Sequence, residues 1–150
     1  MHAPARGMSL IDVVVGTAIM ATIFLGLLGT LRVSLTVSAL AKAKAGATSV
    51  AQVQMEYLRS LSYDNLGTVG GIPAGVVAAD ATTTENGIAY AAHTFVSYVD
   101  DPADGTGASD QNGVTTDYKR AVVSVTYFAS GKTREVSLVS NFAPPGIESS

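Results

Sequence analysis

One carboxylate, Asp12, stands in an otherwise uncharged apolar run over residues 8–31, MSLIDVVVGTAIMATIFLGLLGTL. A charge at the centre of a bilayer costs ~2.5–3.5 kcal/mol on insertion scales, so a carboxylate in such a run needs a functional or assembly reason. A second stretch, residues 100–113, carries Asp100, Asp101, Asp104, Asp110 and Asn112 among glycine turns. Clustered oxygens of this kind suit Ca²⁺, which takes six to eight oxygen ligands. Their spacing is not that of an EF-hand loop, and no glutamate closes the twelfth position. The plainer reading of 100–112 is a solvated acidic loop, with Asp104 and Asp110 the residues whose mutation would reveal calcium. His2 and His93 are too few and too far apart for a metal or relay cluster, and the chain has no cysteine. No Gly-x-Ser-x-Gly elbow, phosphate loop or His-Glu-x-x-His occurs, so neither enzymatic activity nor a cofactor or metal site is expected. Tyr57, Tyr63, Tyr90, Tyr98, Tyr118 and Tyr127 could line a binding face. Such tyrosines more often cap a core with the hydroxyl reaching solvent.

These groups are positioned by a chain of 150 residues, one ordinary domain by length, with a net charge of −3. The charge is uneven. From residue 62 onward four basic residues stand against ten acidic ones, giving −6, whereas residues 8–61 carry four against two, giving +2. An acidic head offers no electrostatic footprint for nucleic acid.

Residues 8–31 are long enough for a helix that crosses a hydrocarbon core of ~30 Å. Residues 32–61 contain no proline and are rich in helix formers, and Ala47, Val50, Tyr57, Leu58 and Leu61 recur at helical spacing as one apolar face. The economical prediction is one continuous helix from about Ser9 to Leu61, apolar all round at first and amphipathic later. The segment Ser62-Tyr63-Asp64-Asn65-Leu66-Gly67 ends it, with Asn65 and Gly67 suited to left-handed backbone positions.

Arg6-Gly7-Met8-Ser9-Leu10-Ile11-Asp12, followed by Val13-Val14-Val15, resembles the processing site of type IV prepilins, minor pilins and type II secretion pseudopilins. In that family a leader ending in glycine is removed by a prepilin peptidase, and the new N-terminal residue is N-methylated. The resemblance implies a leader of residues 1–7, cleavage between Gly7 and Met8, methylation of Met8 and an assembly role for Asp12. It also implies partners: the peptidase and methyltransferase, other pilin subunits in a helical polymer, and inner-membrane assembly machinery. The subunit would sit first in the cytoplasmic membrane with its head outside, then in a cell-surface or periplasmic filament. Met8 departs from the usual phenylalanine, and Asp12 from the usual glutamate by one methylene. The basic residues Arg32, Lys42 and Lys44 outnumber Arg6, which by the positive-inside rule would orient the head inward. The motif points the opposite way and is preferred, because the helix later serves a polymer.

Rival readings remain. Ala41-Lys42-Ala43 and Ala43-Lys44-Ala45 are small-x-small sites for a secretory signal peptidase, but the apolar run far exceeds the usual ~7–15 residues. A plain anchor carrying an extracytoplasmic binding or adhesive module is the alternative from another class.

Beyond a glycine- and proline-dense loop over 68–75, the pattern changes to a period of two. Asn86-Gly87 is a strong hairpin signal between strands predicted at 77–84 and 88–99. Ala121, Val123, Val125 and Tyr127 form one face of a third strand, Ser130-Gly131 a second turn, and Val136, Leu138 and Phe142 a fourth. The predicted class is α+β: a type IV pilin fold, one long N-terminal helix packed on an antiparallel sheet of three or four strands, with residues 62–150 as the head.

Overall fold

The structure is a computed structural model and describes residues 9–103, 105, 109, 113 and 116–145. A single α-helix, α1, runs over Leu10–Ser60. Four strands follow: β1 (Asp80–Glu85), β2 (Ile88–Val99), β3 (Tyr118–Ala129) and β4 (Lys132–Phe142). They form one sheet in the order β1-β2-β3-β4, each pair antiparallel. The fold class is the expected α+β architecture, a long N-terminal helix packed on a four-stranded antiparallel sheet. Both hairpins turn on two residues with positive φ, Asn86 (51°) with Gly87 (77°) and Ser130 (53°) with Gly131 (76°). Those signs define type I′ turns, whose twist matches that of the flanking strands.

The chain divides into two compact units, Met1–Ala39 and Leu40–Ser150. In the first, every described residue from Ser9 to Ala39 is exposed. In the second, the end of α1 lies against the sheet. Ala43, Ala47, Ala51, Met55 and Leu58 meet Tyr90, Ala92 and Val96 of β2 and Ala121, Val123, Val125 and Tyr127 of β3, with Leu66 and Val77 at one end. Three alanines at four-residue spacing let the helix backbone come close to the sheet. At Gly46 the approach is tightest: a Cβ there would stand 2.9 Å from Tyr90 Cζ. The Tyr90 hydroxyl donates to the Ala43 carbonyl oxygen at 3.2 Å.

Four local expectations are corrected. The buried stripe of α1 is built on alanines, and Tyr57 points outward at 43% exposure, because the close approach selects small side chains over large ones. Asn65 and Gly67 are not left-handed; the helix ends through a 3₁₀ turn, Tyr63–Asn65. Gly67 is required by space instead, since a Cβ there would lie 2.6 Å from the Ala74 carbonyl oxygen. Strand β1 starts at Asp80 rather than 77, because the backbone of Val77 is used elsewhere: it donates to Gly67 O (3.0 Å) and accepts from Val69 N–H (2.9 Å). The Tyr90 hydroxyl is buried against α1, not turned to solvent.

Candidate functional site

The first turn of α1 shows why Asp12 stands where it does. Ser9 precedes the helix, and its Oγ accepts from Ile11 N–H at 3.4 Å. In return Ser9 N–H donates to Asp12 Oδ2 at 3.2 Å. This is a variant of the capping box, with aspartate in the third helical position and the Ser9 hydroxyl on the N–H of the second, satisfying two N–H groups that the helix leaves open. The positive end of the helix dipole adds to it. The pattern Ser-x-x-Asp was visible in the sequence, and Ser9 is the functional residue that sequence reasoning overlooked there. A carboxylate has two oxygens and about four acceptor sites, so this bond leaves capacity for a further donor.

Asp12 and Arg32 are the charged residues that bound the apolar part of α1, and they lie twenty residue steps apart. At 1.5 Å per residue that is about 30 Å, the thickness of a bilayer's hydrocarbon core. A helix crossing a bilayer over this stretch would hold Asp12 at the boundary rather than at the centre, which lowers the cost of the charge. Between these residues the polar side chains turn inward on the helix: Thr17, Thr22 and Thr30 donate to the carbonyl oxygens of Val14, Ala18 and Leu27 at 2.8–2.9 Å. Such back-bonding removes free hydroxyl donors from an apolar surface.

That surface is large. Sixteen bulky apolar side chains from Leu10 to Val37 are exposed. At ~1.5–3 kcal/mol per buried side chain, covering them is worth on the order of 20 kcal/mol or more. A domain's net stability is only ~5–15 kcal/mol, so a surface of this kind is meant for lipid or protein rather than water. The segment is long and apolar enough to cross a membrane.

Asp12 is the one residue of the expected site that can be placed. Gly7 and Met8 lie outside the described residues. So do Asp104, Asp110 and Asn112 of the acidic stretch; at its described ends Asp101 N–H donates to Asp117 Oδ2 at 2.7 Å and Ala103 N–H to Asp101 Oδ1 at 3.0 Å. Among the described residues no group of three or more His, Asp or Glu side chains suits a metal ion. His93 is an exposed strand residue whose Nδ1 meets Asp80 Oδ1 at 2.7 Å.

In the head, the polar centre is Lys119, which sequence reasoning passed over. Its Nζ donates to the carbonyl oxygens of Tyr63 (2.7 Å) and Leu66 (2.8 Å) and sits 4.6 Å from the centre of the Tyr63 ring. It is buried, 3% exposed. Burial holds its pKa below the usual lysine value, partly opposed by Asp64. Its position two residues before Ala121 on the inward face of β3 was the available signal. Lys119 fastens the segment that leaves α1 to the sheet, a structural task. No protein-family model, curated protein or solved structure matches the chain.

Proposed function

We propose that this chain is a structural, non-enzymatic subunit of a type IV pilus-like filament or pseudopilus. In this reading the leader 1–7 is removed after Gly7, and Met8 becomes a methylated N-terminus. The apolar half of α1 holds the subunit in the cytoplasmic membrane with its head outside. In the polymer the same surface packs against neighbouring helices. Asp12 pairs with the α-amine of an adjacent subunit, whose reference pKa of ~7.7–8.0 keeps it largely protonated. Such a pair adds little net stability, but leaving one charge unpaired costs ~3–5 kcal/mol, so it fixes register more than strength.

The observation that carries this reading is the combination on α1 of a wholly exposed apolar segment with one carboxylate in its first turn. The test is Asp12→Ala, scored for membrane insertion, leader removal and filament formation. Insertion and cleavage are expected to persist while assembly fails; wild-type assembly would refute the pairing role.

One feature favours the alternative, a membrane-anchored binding or adhesive module. On the outer sheet face Phe95, Val122 and Val139 align across β2, β3 and β4, with Phe95 and Val139 56% and 60% exposed. An intact Met1 on the protein in its membrane would select that reading.

A further inference from the structure

A shallow groove on the surface of α1 opens beside Asp12, bounded by Val13, Gly16, Thr17 and Met20. Gly16 lines this opening and leaves it unfilled: a Cβ built there meets nothing within 4 Å. Glycine disfavours a helix interior, and no contact within the described chain explains it here. Helical side chains lean toward the N-terminus and lie over the preceding turn, so residue 16 would cover residue 12. A side chain longer than a methyl group at 16 would therefore lean toward the C-terminal side of the Asp12 carboxylate. That carboxylate is drawn in toward the helix by Ser9 N–H. A cation approaching from the side of residue 16 meets it close to the helix surface. Thr17 does not compete for it, because its hydroxyl is engaged with Val14 O at 2.9 Å.

We propose that Gly16 is a positioning residue that keeps the Asp12 carboxylate open to the α-amine of a second copy of this chain. The proposal rests on the assembly reading above. The occupant follows from complementarity: the groove pairs one anionic group with apolar walls, Val13 and Met20. A processed N-terminus offers one ammonium on Met8, with apolar Leu10 and Ile11 following Ser9. Gly26 and Gly29 are equally open, but the residues one turn before them are Thr22 and Leu25, so they provide matched controls.

The experiment uses the full chain in its own envelope, comparing Gly16→Leu with Gly26→Leu. Leucine strengthens the helix and spares membrane insertion, so loss of assembly cannot be assigned to unfolding. The assembled fraction is measured against the membrane pool and the processed fraction. Gly16→Leu is expected to lower assembly at least tenfold at unchanged membrane level and processing, with Gly26→Leu near wild type. In a second arm Asp12→Glu, one methylene longer, should partly restore assembly to Gly16→Leu. Gly16→Leu at wild-type assembly, or a loss no greater than that of Gly26→Leu, overturns the proposal while leaving the assembly reading intact. A wild-type protein that never assembles overturns both.

Discussion

Lys119, Tyr63 and Tyr90 are the side chains of the head whose protonation burial shifts. Lys119→Met would remove charge-assisted bonds to two carbonyls, each worth ~1.5–3 kcal/mol, and leave Leu66 O without this donor. A loss of about 2–4 kcal/mol is expected in urea denaturation. Tyr63 differs, because its buried hydroxyl has no hydrogen-bond partner among the described residues. Tyr63→Phe keeps the ring beneath Lys119 and should leave stability unchanged or slightly higher. The pH dependence has two opposed parts. Burial lowers the pKa of Lys119 from 10.5, so between its folded value and 10.5 the unfolded chain binds more protons and stability rises with pH. Burial raises Tyr90 and Tyr63 above 10.0. Above 10.0 the folded state holds protons that the unfolded chain releases, so stability falls as pH climbs toward the raised values. Urea midpoints measured across that range should fall less steeply for Tyr90→Phe than for wild type.

At the scale of elements, α1 is two helices in one. Among the described residues its first part is exposed throughout, and its second part is shaped to a sheet. Gly46 marks the tight point of that second part, and Gly46→Ala should destabilise the head by about 1–3 kcal/mol, as overpacking does, despite alanine's better helix propensity. Thermal unfolding would show it. Much of this was legible in the sequence. The period of 3.6, the absence of proline and the Asn-Gly and Ser-Gly turns gave α1, β2, β3 and β4 nearly as observed. The buried stripe was not, because alanine marks a close approach while hydrophobic scales favour the larger Tyr57. Strand β1 was misjudged at its start because Val77 reads as a strand residue, while its backbone closes the loop onto Gly67 and Val69. Lys119 escaped notice because a lysine normally signals solvent, and only its parity with Ala121 and Val123 betrayed it. At Asp12 the charge itself was conspicuous, but its reciprocal bond with Ser9 depends on where the helix begins, which periodicity fixes poorly.

For the whole molecule, every buried core residue among those described lies in the unit Leu40–Ser150, so a chain starting at Leu40 should fold without the preceding residues. It should melt cooperatively and remain in solution, whereas the full chain should partition into membrane or detergent. Failure of that fragment to fold would show that the apolar segment contributes more than attachment. What becomes of the N-terminus decides the proposed assembly, because cleavage after Gly7 would create the amine proposed to meet Asp12. The most direct test is the N-terminal sequence and intact mass of the protein isolated from its own envelope. The prediction is a chain seven residues shorter than the 150-residue sequence, beginning at a methylated Met8. An intact Met1, or a start at Lys44 or Gly46, would contradict it.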